Sequence, residues 1–146
     1  MKFLWIALLS SFFLSSNSSW LTDFEKAKQS AQAEHKLILL NFSGSDWCGP
    51  CIRMHKEIFE SIPFTSYSND HLILLKADFP RLKKNQLPSD QQSKNDQLAE
   101  AFNKEGKFPM TVLLSADGKV LKKWEGFPTA SADAFTNQVK VIVDAN

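Results

Sequence analysis

The sequence predicts an α/β fold in which a sheet carries helices on both faces. Three observations carry that expectation. Helical and strand-like patterns alternate along the chain in the order α-β-α-β-α-β-β-α. Two of the strand-like runs are apolar nearly throughout, as strands buried on both sides are. The last two strand-like runs are split by Asp117-Gly118, a hairpin turn.

The N-terminus is a separate matter. Met1-Lys2 supplies a short positive end, Phe3 to Leu14 is almost unbroken apolar sequence, and Ser15 to Ser19 is polar. This is the shape of a secretory signal peptide. The apolar run is well short of the roughly 20 residues that span a membrane. Small residues at Ser16-Asn17-Ser18 allow cleavage there, so residues 1–18 are read as the signal and 19–146 as one domain. An uncleaved anchor, or a helix buried in the fold, is the competing reading. No cysteine follows the apolar run, which excludes a bacterial lipid anchor. A domain of that size can bury a real core. Without Lys2 it holds sixteen basic and sixteen acidic residues. Such balance offers no field to attract nucleic acid or an anionic membrane. The basic cluster from Lys76 to Lys84 comes with no recognition motif and reads as a solvated face.

Each element has a local reason. Thr22 with Glu25 predicts a capping box opening a helix to about Glu34, with Phe24, Ala27 and Ala31 as its apolar stripe. Leu37 to Phe42 reads as a central buried strand. The next helix begins near Cys48–Gly49 and runs to about Ser61. Pro50 is tolerated because the first helical turn needs no internal N–H partner. Ile52, Ile58 and Phe59 are expected to face the sheet, and Met54 to lie in the core or at a groove rim. Leu72 to Ala77 is the second strand. Residues 79–92 carry two prolines and many polar side chains and read as an irregular insertion. Ser93 with Asp96 is expected to cap a helix to about Asn103, with Leu98, Ala99 and Phe102 inward. Strands follow at Met110–Ser115 and Lys119–Trp124. A closing helix runs from Thr129 to about Val143, anchored by Phe135, Val139 and Ile142. Trp124 reads as structural.

The chemistry sits at Trp47-Cys48-Gly49-Pro50-Cys51, which holds the only two cysteines of the chain. Two thiols one helical turn apart can close a small disulfide. The strand-to-helix junction aims the first thiol at the unpaired N–H groups of the helix start, which stabilise a thiolate. A zinc half-site is the bland alternative. Tetrahedral zinc wants four ligands, and His35, His55 and His71 show no ligand spacing to the pair. A purely structural disulfide fits poorly, because so short a loop removes little unfolded-state entropy. Reversible thiol–disulfide chemistry is the reading that remains.

The segment FSGSDWCGPC, Phe42 to Cys51, resembles the active-site segment of the thioredoxin superfamily, and GSDWC resembles exported bacterial thioredoxin-like proteins. The similarity runs from about Leu21 to Val143. It implies a thioredoxin-like fold, with a central mixed four-stranded sheet and helices on both faces. It implies a thiol–disulfide oxidoreductase that needs no cofactor or metal. Pro109, in Lys107-Phe108-Pro109-Met110, matches the family's cis-proline loop beside the CxxC. The N-terminal strand common in the family is not evident.

The resemblance also sharpens the site. Cys48, nearest the helix start and solvent, is expected to attack a substrate disulfide, and Cys51 to resolve the mixed disulfide. Gly49-Pro50 matches strongly reducing members. Trp47 is expected to shield the thiol and contact substrate. A proline at a strand edge leaves the preceding backbone free to pair with an extended substrate. Two departures stand out. Asn41 occupies the position of a buried aspartate thought to deprotonate the second cysteine, and an amide is no base near neutral pH. Bound substrate, water or His55 are left to take that proton, so Asn41 and His55 are candidate modulators. Asp46 is expected to be solvent-exposed. Phe108 replaces the small or β-branched residue usual before the proline, and reads either as an apolar wall near Cys48 or as core packing. The leading function is an exported, periplasmic reductase of protein disulfides, monomeric, recharged by a membrane thiol transporter. An isomerase, an oxidase and a non-enzymatic binding module are the alternatives, and residues 79–92 are a place for narrow specificity.

Overall fold

The computed structural model describes residues 19–146, so the expected signal segment 1–18 lies outside the described residues. Four strands form one mixed sheet in the order β2-β1-β3-β4, with β1 at Leu37–Ser43, β2 at Leu72–Asp78, β3 at Met110–Leu114 and β4 at Val120–Glu125. β1 runs parallel to β2 and antiparallel to β3, and β3 is antiparallel to β4. Among the described residues the α-helices are α1 (Phe24–Glu34), α2 (Gly49–Met54), α3 (Ile62–His71), α4 (Ser89–Phe102) and α5 (Ala132–Asp144).

Side chains alternate across a strand, so the apolar run of β1 feeds two cores at once. Ile38, Leu40 and Phe42 join Ala27 and Ala31 of α1 and Leu98 and Phe102 of α4. Leu39 joins Met54, Phe64, Phe135 and Val139 on the opposite face. The sheet is therefore covered by α1 and α4 on one side and by α2, α3 and α5 on the other.

Several boundaries differ from expectation. Asp23, not Thr22, caps α1, its carboxylate accepting from the Lys26 N–H at 3.0 Å. The helix after the cysteines turns wider at His55–Phe59, where the Glu60 N–H donates to the His55 carbonyl five residues back. Ile52 is exposed rather than turned to the sheet, whereas Ile58, Phe59 and Met54 are buried. α3 has no counterpart in the sequence reading. It buries only Phe64 and Ser68, which leaves no apolar stripe to see. Its start was legible in Ser61, which caps the Phe64 N–H, and in Pro63 of the first turn.

α4 begins at Ser89, directly after Pro88, and not at Ser93. Its inward face opens with a polar residue, the buried Asn95, whose amide donates to the Asp78 carbonyl at 2.8 Å. Apolar spacing along this helix begins only at Leu98. α5 begins at Ala132, capped by Ser131, and not at Thr129. The hairpin turns at Asp117-Gly118, where Gly118 takes φ +91, and β4 starts one residue later than expected. Among the described residues ahead of α1, Leu21 bridges β2 in parallel at Leu75.

Candidate active site

The site is built at the C-terminal end of β1. After Ser43 the chain turns sharply, and the Gly44 carbonyl accepts both the Trp47 N–H at 3.2 Å and the Cys48 N–H at 2.9 Å. Cys48 is then the N-cap residue of α2, with extended backbone, and Pro50 fills the first turn. Cys48 and Cys51 form a disulfide with Cα atoms 5.2 Å apart. The Cys51 N–H donates to Cys48 Sγ at 3.3 Å. Gly49 and Pro50 are exposed, but the sulfurs are covered in this oxidised form. Cys48 is 5% exposed and Cys51 3%. Exposure therefore does not distinguish the two cysteines, against expectation; their places at the helix start do.

Trp47 and Phe108 meet edge to face, ring centroids 5.4 Å apart. The Trp47 indole N–H donates to the Phe79 carbonyl at 2.7 Å. Phe79 packs in turn on Phe108 at 5.5 Å, and the Arg81 guanidinium lies 3.6 Å from the centre of the Trp47 ring. The Phe108–Pro109 peptide bond is cis. Phe108 is half-buried and also packs against the core on the α1 and α4 face. The Pro109 carbonyl accepts from Gly126 N–H at 2.8 Å.

Two contributors escaped the sequence reading. Gly44 is where Trp47 rests, since a Cβ there would lie 2.3 Å from the indole ring. Asp46 is half-buried and not a free loop carboxylate. It accepts from the Arg81 N–H at 2.9 Å, the Leu82 N–H at 2.9 Å and Asn85 Nδ2 at 3.1 Å. These bonds, the Arg81 N–H foremost, hold its carboxyl below the usual range. The nearby Asp78 accepts from both the backbone N–H and the hydroxyl of Ser45. An acidic residue two positions before the cysteine was the available signal, but its partners lie 35 residues and more along the chain.

The candidate modulators separate. Asn41 is buried and donates from Nδ2 to Thr111 Oγ1 at 3.1 Å, on β3. Thr111 Oγ1 in turn lies 3.9 Å from Met54 Sδ. His55 lines a small cleft of about 130 Å³ together with Cys51, Lys56, Glu60 and Lys76. Its Nε2 lies 3.2 Å from Glu60 Oε1. Among the described residues, no three His, Cys, Asp or Glu side chains are placed to hold a metal ion.

A family model described as a thioredoxin-like domain matches residues 24–140. The chain belongs to the thioredoxin-like family. It is 36% identical over 124 residues to the disulfide bond reductase DsbH of Chlamydia pneumoniae, an alignment covering 85% of this chain and 72% of that protein. A solved structure of a DsbH oxidoreductase superposes with a TM-score of 0.79 at 33% identity, covering 90% of this chain and 88% of that one. The thioredoxin-related protein DsbJ of Chlamydia pneumoniae is 25% identical over 127 residues; the match covers 87% of this chain but only 36% of DsbJ. The thioredoxin-like fold, the Cys48–Cys51 pair and the likeness to these proteins make the chain a thiol–disulfide oxidoreductase.

Proposed function

We propose that the chain is an exported reductase of protein disulfides, working in a bacterial periplasm after loss of residues 1–18. The observation that carries the chemistry is the place of Cys48 at the N-cap of α2, with the Cys51 N–H directed at its sulfur. In the reduced protein that N–H and the helix start favour the Cys48 thiolate. The thiolate attacks one sulfur of a substrate disulfide, and the other leaves as a thiolate that takes a proton from water. Cys51, once deprotonated, attacks Cys48 Sγ and releases the second substrate sulfur. Two electrons pass to the substrate, and the Cys48–Cys51 disulfide remains. A dithiol donor, which we assign to a membrane thiol transporter, returns the two electrons.

Trp47 and Phe108 form the aromatic wall against which substrate lies, with Pro109 behind it. Gly49 and Pro50, exposed at the start of α2, are the part of the motif that a substrate meets first. His55 tunes loss of the Cys51 proton through the shared cleft. Asn41 acts at one remove, holding Thr111 on the strand that follows Pro109. Likeness to a protein called a disulfide bond reductase and the Gly49-Pro50 pair support net reduction.

Cys51→Ser should accumulate mixed disulfides through Cys48, and Cys48→Ser almost none, read by mass spectrometry after acid quenching. Stable substrate adducts on Cys51 would sink the assignment. Equilibration against a glutathione or dithiothreitol series should place the couple nearer thioredoxin's potential of about −270 mV than the oxidant's value of about −120 mV. A result at the oxidising end would overturn reduction as the direction.

A further inference from the structure

We propose that the segment after β2 is a recognition lip selecting disulfides flanked by acidic residues; this rests on the exchange chemistry proposed for Cys48. Residues 80–88 contain Arg81, Lys83 and Lys84 and no carboxylate. All three cations are exposed. None has an ion-pair partner among the described residues, as is also true of several lysines elsewhere; what sets this segment apart is three such cations within four residues. The chain as a whole carries a formal charge of only +1, so the concentration is local.

The segment is also fixed to the active-site loop. Asp46, two residues before Cys48, accepts from Arg81, Leu82 and Asn85 and so holds the short 3-10 turn Lys83–Asn85 beside that loop. Trp47 is bonded to Phe79 and covered by Arg81. The lip therefore borders the Trp47–Phe108 wall and is held there before substrate arrives. The two neighbouring carboxylates are both engaged within the chain. Asp46 takes the three donors just named, and Asp78 takes Ser45 and the Phe79 N–H. Three cations, Arg81, Lys83 and Lys84, against the two carboxylates of Asp46 and Asp78 leave the rim net positive.

An extended peptide lying against the wall would pass this rim within a few residues of its disulfide. Asp or Glu side chains there gain from the rim, and Lys or Arg are repelled. Arg81, its face held by the indole, keeps edge donors for a carboxylate. The field acts over a screening length of about 10 Å at 0.1 M salt, so it falls away as salt rises.

The test compares synthetic peptides with one identical disulfide flanked by Glu, Gln or Lys, mixed with the reduced protein. Expected at low salt is an acidic-over-basic rate ratio of about tenfold or more, shrinking toward one in 1 M salt. Lys83→Glu combined with Lys84→Glu should invert the order, with circular dichroism confirming the fold. The same series run from oxidised protein and reduced peptides reads charge preference whichever way net flow runs. Failure to reduce any peptide overturns the reductase reading alone. Equal rates for all three flanks in both directions, at any salt, overturn the lip. Inhibition of acidic-peptide exchange by double-stranded DNA at matched charge, as strong as by a disulfide-free acidic peptide, would make the lip a general polyanion site and overturn the peptide assignment.

Discussion

The two cysteines share one helical turn but open onto different surroundings. Beside Cys48 stands an aromatic wall in which each ring is fixed by another: Trp47 by the Phe79 carbonyl, Arg81 and Phe108, and Phe108 by Phe79. Beside Cys51 is a small cleft in which Ile52 and the stems of long side chains lie among the polar groups of Ser43, His55, Lys56, Glu60 and Lys76, and His55 lies against Glu60. Rigid apolar surface suits the docking of a peptide, because little ordering is left to be done on binding. A polar cleft suits the passage of a proton. On the proposed function, substrate capture falls to one side of the disulfide and its resolution to the other, and each side can be disturbed without the other.

The largest disturbance should come from Gly44→Ala. Its Cβ would stand 2.3 Å from the indole, so the Trp47 ring must leave its seat. Loss of the Phe79 bond and of the ring packing should cost about 1–3 kcal/mol of stability, as overpacking does. Misplacing the wall should lower kcat/KM by about 10- to 100-fold. Thermal unfolding and the Trp47 indole N–H resonance read these separately. An unmoved resonance with normal turnover would show that the wall tolerates the methyl and does not govern capture.

Asp46→Asn should act more locally. Where the carboxylate takes three donors, the amide must turn an N–H toward one of them. Amide exchange at Arg81 and Leu82 should quicken at neutral pH while the core protection stays. In the parent the same loosening should depend on acid. The Asp46 carboxyl is held below its ordinary value. The tether is therefore at full strength above the unfolded pKa of about 3.9 and fades as pH falls through the depressed folded value. Equal exchange in variant and parent from neutral pH into acid would detach the lip from the wall.

The smallest effect is expected on the Cys51 side. The His55 and Glu60 side chains are 42% and 59% exposed. His55→Gln should therefore alter stability by less than about 1 kcal/mol. It should nevertheless slow decay of the Cys48 mixed disulfide in stopped flow, with its formation unchanged. Decay at the parent rate across the pH range would return His55 to the helix surface.

What could be read from the chain alone was whatever depends on near neighbours. The apolar runs of β1 and β2, the Asp117-Gly118 hairpin and the CxxC at a strand–helix junction are each settled within about ten residues, where spacing and turn chemistry act directly. The same locality explains the misses. α3 buries too few apolar side chains to show a stripe, and the first turns of α4 turn the polar Asn95 inward because the Asp78 carbonyl needs its donor. Which side of the disulfide is aromatic and which polar was decided only in three dimensions. Trp47, Phe79 and Phe108 are scattered over some sixty residues and meet because parallel β2 ends, and antiparallel β3 begins, beside the C-terminal end of β1. Asp46 and Gly44 took their roles from contacts that no local spacing encodes, since a hydrogen bond or a steric limit exists only once distant backbone has been brought within reach.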